Sequence, residues 1–314
     1  MKVSILVPVY GVERYIEKCA RSLFEQSYKD IEYVFVDDCT PDNSIEVLQS
    51  VIDSFPERAH QVRIIRHKQN KGLAGARQTA LEASTGETVI IVDSDDYVDA
   101  LMVESLVNEM EKSKAGIVDC GFCIVSDVEI AKELMPLNVS DNAYLKIILC
   151  QNVESHRIWG RLIKKSIFVD NDIHFYHGID YSEDFSVLPK LLIKAKRSWV
   201  DSCFYFYRDD NPQSYTNNIT TKNAISFLKA QQLVGDFMKS QPQWRDYQLA
   251  AEIGWVNVWR FARRFNVDFN LVDEHFTLRP TNVTTKCLAW LMKSRLPYGV
   301  VNFIYKAVRT IYLI

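Results

Sequence analysis

The sequence predicts an α/β fold with a mainly parallel central sheet, followed by a C-terminal helical region. Short apolar runs alternate with segments of helical periodicity over the first hundred residues, polar and acidic residues collect where those runs end, and the segment after about residue 220 is helical in pattern and rich in Trp, Tyr and Phe. A chain of 314 residues with 47% hydrophobic and 25% charged content is long enough for one large α/β domain and an appendage.

Taken in order, residues 3–9 form an apolar run suited to a buried strand. Residues 13–26 follow with Ile16, Ala20, Leu23 and Phe24 at helical spacing. Residues 31–36 predict the next strand. After the turn residues Thr40-Pro41-Asp42, residues 44–55 predict a helix with Asp42 as its N-cap. Residues 62–66 and 88–92 predict two further strands, with a helix over 75–83 between them and the acidic cluster Asp93-Ser94-Asp95-Asp96 directly after the second. A helix over 101–112 and a strand over 117–125 precede a mixed region that runs to about 220. Neither an internal repeat nor a low-complexity segment is present. Such alternation implies helices on both faces of the sheet, and ligands of such sheets bind beyond the carboxyl ends of the strands.

Charge and cysteine content narrow the function. A net charge of −3 leaves no excess of cations for a general nucleic-acid binder. The seven cysteines are scattered and mostly lie in apolar runs. Cys120 and Cys123 form a CxxC inside the strand-like IVDCGFCIV, with no second pair at metal-ligand spacing, so a zinc site is not expected there. MKVSILVPVY runs straight into a strand without a basic leader, and no window of 18 residues is uncharged and apolar. The expected location is cytoplasmic, at most peripheral on the inner face of a membrane.

The acidic cluster is the strongest chemical signal. Three carboxylates this close repel one another unless a cation lies among them, and Mg²⁺ or Mn²⁺ combines one or two carboxylates with substrate phosphates. The competing reading is a solvated acidic turn ahead of the next helix. Pro8-Val9-Tyr10 and Asp37-Asp38 close the first two strands. Tyr10 can offer a ring to a base and Asp38 can accept an imide N–H, although both also suit ordinary edge and turn positions. In Asn70-Lys71-Gly72-Leu73-Ala74-Gly75-Ala76-Arg77, glycines permit close backbone approach, the helix start can favour an anion, and Arg77 can donate to a pyrophosphate or be a surface arginine.

Together these segments resemble the family 2 glycosyltransferases with the GT-A fold. The resemblance is dense over residues 1–100, from VSILVPVYGVERYIEKCARSLFEQSYKDIEYVFVDDCTPDNS to NKGLAGARQTALEASTGETVIIVDSDD. It thins through WGRLIKKSIF, YSEDFSVLPKLL and FYFYRDDNPQSYT, and is not visible after about 220. Gly11, Cys39, Gln78 and Arg161 stand where relatives often carry other residues, which leaves donor preference open. The resemblance implies an inverting, metal-dependent enzyme moving a sugar from a nucleotide-diphosphate donor, of UDP type, to a hydroxyl of a saccharide or lipid-linked saccharide acceptor. Pro8, Tyr10, Asp38, Arg77 and Asp93 would bind the donor. Asp95, with Asp93, would hold Mn²⁺ or Mg²⁺. Asp184, in Glu183-Asp184, would be the general base, with His174 and His177 as competing candidates. Residues 1–220 would be the catalytic domain, 1–100 its nucleotide-binding half and 101–220 its acceptor-side half, with 221–314 the helical region. Tyr207-Arg208 and Ser214-Tyr215-Thr216 resemble a loop found after that helix in relatives.

Three rival classes meet opposing features. A non-catalytic nucleotide-sugar binder on the same fold is opposed by the intact Asp93, Asp95 and Asp184. A dinucleotide oxidoreductase needs GxGxxG where PVYGVERY has one glycine, and a nucleotidyltransferase needs a Gly-rich basic loop that is also absent. Residues 279–314 contain Arg279, Lys286, Lys293, Arg295, Lys306 and Arg309, no acid, and the aromatics Trp290, Tyr298, Phe303, Tyr305 and Tyr312. This pattern suits helices lying in a membrane interface, or a hairpin packed on the catalytic domain or a second subunit as a homodimer contact.

Overall fold

The structure is a computed structural model and describes residues 1–126, 129–150, 156–210 and 219–313. Contacts divide the chain into two compact units. One comprises Met1–Asn138, Ile158–Gly178 and Lys194–Ser214; the other comprises Val139–Arg157, Ile179–Ile193 and Tyr215–Ile314.

The first unit is built on a mixed sheet. Strands β1 (Val3–Val9), β2 (Ile31–Asp37), β3 (Val62–Arg66) and β4 (Thr88–Ile91) are parallel, in the order β3-β2-β1-β4. Beyond β4 the sheet continues through β8 (Arg161–Lys164), β6 (Ile117–Val125), β9 (Arg197–Arg208) and β5 (Tyr97–Val98), with β7 (Ile130–Leu134) also paired to β6. Strand β8 is antiparallel to both its neighbours, whereas β6 and β9 are parallel. Every residue of β1 is buried, as a central strand covered on both faces requires. Pro8 is tolerated there because pairing with β4 stops at Leu6, so its missing N–H falls beyond the ladder on that side.

Three helices begin or end differently from the periodicity. The first spans Ile16–Phe24 (α1), because residues 12–15 form a turn with Val12 O accepting from Tyr15 N and Ile16 N. The second, α2 (Ser44–Asp53), has Asn43 at its N-cap. Asp42 stands one residue earlier, yet still accepts from Ser44 N at 3.2 Å and also from Glu13 N at 2.9 Å, tying the two loops together. A short α3 (Pro56–Ala59) follows. The next helix, α4 (Gly72–Ala83), starts three residues before the expected Gly75, because Gly72 supplies the positive φ of 78° that the turn into it needs. Helices α5 (Met102–Ser113) and α7 (Lys165–Asp170) complete this unit. Cys120 and Cys123 lie buried on β6 as free thiols.

The second unit contains α6 (Asp141–Leu149), α8 (Glu183–Leu192), α9 (Thr221–Ser240), α10 (Trp244–Arg264), α11 (Phe269–His275), α12 (Val283–Lys293) and α13 (Tyr298–Leu313). The boundary expected near 220 is therefore not a single cut: α6 and α8, from the middle of the chain, pack with α9 and α10. Both carry apolar faces that need helical partners, among them Leu145, Ile148, Val187 and Leu191.

Candidate active site

Register places the first two strand ends side by side. Pro8 pairs with Val36 and Val9 with Asp37, and Val9 O accepts from Asp38 N at 3.1 Å. Tyr10 leaves the strand with 51% exposure, whereas Asp38 is 2% exposed.

The Asp38 carboxylate is held on three sides. Its Oδ1 accepts from Lys71 N at 2.7 Å and lies 2.6 Å from His67 Nδ1, and its Oδ2 accepts from Gly72 N at 2.9 Å. His67 Nε2 lies 2.9 Å from the Thr79 hydroxyl, so the ring bridges Asp38 and Thr79. The anion that the start of α4 holds is thus Asp38 itself. Sequence reasoning expected an anion there but not its source, and it missed His67, which lies at the end of β3.

Arg77, on the second turn of α4, is not a surface arginine. It is 1% exposed and its Nη2 donates to Asp93 Oδ1 at 2.7 Å. That bond brings the glycine-rich segment and the acidic cluster together across the end of β4. It also sets a cation against one of the three crowded carboxylates.

The three acids of the cluster have different environments. The Asp93 side chain is 22% exposed and Asp95 is half-buried, whereas Asp96 is 1% exposed. Burial raises the Asp96 carboxyl well above the ordinary range, and repulsion from Asp95 and Asp93 adds to this, against hydrogen bonds from Arg208 N and the Tyr205 hydroxyl. Tyr205 on β9 is fully buried; its hydroxyl accepts from Asp93 N at 3.1 Å and donates to Asp96 Oδ2 at 2.7 Å. β4 pins the loop before Asp93, and β5, paired with β9, pins it after Asp96. Asp96 fastens the loop through Tyr205 and Arg208, whereas Asp93 and Asp95 remain partly exposed.

Further aromatics surround this loop. Trp159 stacks on Tyr205 with centroids 4.2 Å apart and lies parallel to Tyr207 at 5.4 Å. The Tyr207 hydroxyl is pushed up to about 12, first by burial and then by Asp96, Asp95 and Asp93. Arg208, whose amide holds Asp96 at 2.8 Å, sets its guanidinium 5.0 Å from the Tyr15 ring. Tyr205 and Tyr207 were legible as one face of an alternating strand in FYFYR, but nothing local linked that face to residues over a hundred positions away. Ser214-Tyr215-Thr216 lie outside the described residues.

Asp184 belongs to the helical unit. It is half-buried on the first turn of α8, directly after Ser182, whose φ of 67° places a non-glycine residue in the left-handed region. That conformation is costly and tends to mark functional turns. His177 is exposed, with Nδ1 2.8 Å from Lys71 O, and His174 lies 3.8 Å from Asp172.

The family model described as Glycosyl transferase family 2 matches residues 4–170, more than half of the chain. The chain belongs to glycosyl transferase family 2. Among its relatives in this family is the uncharacterized glycosyltransferase EpsJ of Bacillus subtilis, 33% identical over 223 residues. That match takes in 68% of this chain and 62% of EpsJ, so the chain spans less than two thirds of that relative. Poly(ribitol-phosphate) beta-N-acetylglucosaminyltransferase TarS of Staphylococcus aureus is 24% identical over 211 residues, 66% of this chain and 35% of TarS. A crystal structure of TarS 1-349 in complex with UDP-GlcNAc superposes with a TM-score of 0.70 at 17% identity, covering 99% of this chain and 92% of that one. The mannosyltransferase PcManGT of Pyrobaculum calidifontis, in complex with GDP-Man and Mn²⁺, gives a TM-score of 0.53 at 15% identity, covering 99% and 86%. At these identities the structural matches establish the fold: this family 2 chain has the GT-A architecture that its sequence implied.

Proposed function

We propose that this family 2 chain is an inverting, metal-dependent glycosyltransferase that moves a sugar from a UDP-type donor to a saccharide hydroxyl in the assembly of a surface polymer. The observation that carries the reading is the convergence of Tyr10, Asp38, the Arg77–Asp93 ion pair and Asp95 at adjacent ends of parallel strands, where such sheets bind ligands. Relatives that bear on the donor and acceptor are TarS, with UDP-GlcNAc bound and named for poly(ribitol-phosphate), and PcManGT, with GDP-Man and Mn²⁺.

In this reading Tyr10 presents its exposed ring to the base, and Pro8 stiffens the strand end that aims it. Asp38, an acceptor fixed by three hydrogen bonds, reads the imide edge. A fixed acceptor discriminates well because it has little orientational freedom left to lose. Arg77 supports the donor by holding Asp93. Asp93 and Asp95 are the residues that would hold Mn²⁺ or Mg²⁺. They fit one, since both are partly exposed one residue apart while Asp96 is buried. Among the described residues no three His, Cys, Asp or Glu side chains gather into a complete set, so donor phosphates would supply the remaining oxygens. Bound there, the ion would offset negative charge developing on the diphosphate. Asp184 accepts the proton of the acceptor hydroxyl as that oxygen attacks the anomeric carbon.

The test is Asp95→Ala, followed by calorimetric titration with UDP in the presence and absence of Mn²⁺. The variant should keep the wild-type circular dichroism spectrum, lose the metal-dependent part of UDP binding, and lose transfer. Metal-dependent binding equal to wild type would refute the assignment. A preference for a purine diphosphate over UDP would instead remove the uracil reading of Asp38.

A further inference from the structure

We infer that helices α12 and α13 form a docking surface for an anionic phospholipid bilayer, on which they lie without crossing it. Each helix packs one face on its own unit. Thr285, Leu288 and Met292 of α12 are buried, and so are Val301 and Tyr305 of α13, whose hydroxyl reaches Ile253 O of α10 at 3.4 Å. Such helices ordinarily turn a polar face outward. Here the outward faces also carry apolar stripes.

On α13 the exposed side carries Val300, Phe303, Ala307 and Ile311, with Phe303 74% and Ile311 70% exposed. At 3.6 residues per turn these four fall within about 80° of arc, so they form one stripe rather than scattered apolar residues. On α12 Val283, Cys287 and Trp290 make a second stripe, with Val283 75% and Trp290 70% exposed. The side chain of Tyr312 lies outside the described set.

Charge selects the occupant. Residues 279–314 carry six cations and no acid, a net +6 in a chain whose total is −3, so the remainder carries −9. Arg279 and Lys293 are spent on Asp273, at 2.7 and 3.8 Å. Lys286, Arg295 and Lys306 are exposed and have no ion-pair partner among the described residues, and Lys286 and Lys306 flank the two stripes. A two-fold dimer through this face would set these unpaired cations against their own copies, which repels. An anionic headgroup layer complements it, with Trp and Phe suited to the boundary below. No helix is long and apolar enough to cross a membrane among the described residues, so the surface is the only bilayer site these helices can take.

The experiment is co-sedimentation of the full chain with phosphatidylglycerol–phosphatidylcholine vesicles and with phosphatidylcholine alone, at low and high salt. Wild type should bind the anionic vesicles, release as salt rises, and ignore the neutral ones. Lys286→Glu with Lys306→Glu should weaken binding about tenfold or more, as should Trp290→Ser with Phe303→Ser. All four positions are exposed, and unchanged thermal unfolding verifies that each variant is folded. Absence of binding to anionic vesicles at low salt overturns the proposal, as does equal binding to neutral ones. Concentration-dependent self-association of wild type that Trp290→Ser with Phe303→Ser abolishes, without vesicle binding, assigns the face to a second copy instead.

Discussion

At the scale of single residues, burial separates the carboxylates of this chain by how firmly each is held. Asp38 and Asp96 are both nearly inaccessible, Asp38 held by Lys71 N, Gly72 N and His67 and Asp96 by Arg208 N and Tyr205. Asp93, Asp95 and Asp184 keep access to solvent. Adjacent letters in DSDD thus have different work: Asp96 fastens the loop that Asp93 and Asp95 present. For Asp184, replacement by Asn keeps the shape and removes the proton acceptor. Asp184→Asn should therefore lower transfer by about 10²-fold or more while leaving UDP affinity and its metal dependence near wild type. Parallel kinetics and titration check this. Normal transfer by Asp184→Asn together with loss in His177→Ala would move the base to the histidine.

At the scale of elements, the starts of helices and the turns between strands set the site's geometry. Gly72 allows α4 to begin early enough to put two amides on Asp38, and Gly86 allows the turn before β4 to close against β1. A Cβ at Gly86 would come 2.5 Å from Ser4 Oγ, 2.8 Å from Ser4 N and 2.9 Å from Lys2 O, two of them backbone atoms that cannot swing away. Gly86→Ala should cost about 1–3 kcal/mol in urea unfolding. Gly299→Ala on α13, where an added Cβ meets nothing within 4 Å, should be neutral or slightly stabilising. Equal effects of the two would show that helix and turn propensity, not packing at the strand end, governs these positions.

At the scale of the molecule, each unit contains a nearly buried carboxylate that ties distant segments together. Burial alone would raise Glu32 of β2. Hydrogen bonds from Ser4 and Thr85, with the Lys2 charge, outweigh it and hold this carboxyl at about 2 against 4.5. Glu252 of α10 is likewise lowered against its burial, by Thr281, Thr285, Gln248 and Asn282 N, of which all but Gln248 lie at the start of α12. Both folded values lie below the unfolded ones. Their stabilisation is therefore complete above about pH 4.5 and is lost as pH falls toward the folded values. Thermal unfolding between pH 6 and 3 should thus move to lower temperature on acidification. The slope is at most about 1.4 kcal/mol per pH unit for each group, less at Glu32 because Lys2 and Arg63 reach solvent. Glu32→Gln and Glu252→Gln should each flatten the profile. Stability that increases toward pH 3 would contradict both assignments.

The sequence by itself determined the order of the first four strands and the helices between them, apart from the short α3 and β5, together with the family and the short list of polar side chains at strand ends. Those properties are encoded locally: burial of β1 follows from its unbroken apolar run, and α1 from the spacing of Ile16, Ala20, Leu23 and Phe24. Only the tertiary structure decided which acid of the cluster is buried, because Tyr205 and Arg208 that enclose Asp96 lie more than a hundred residues away. It also decided that Arg77 faces Asp93 rather than solvent, and that Asp38 occupies the start of α4. The same holds for α6 and α8, whose helical patterns were local but whose membership in the C-terminal unit was not. Periodicity specifies which face of an element is apolar. What that face meets is settled by where the rest of the chain folds, and that gives a buried carboxylate its partners or leaves an apolar helix stripe in water.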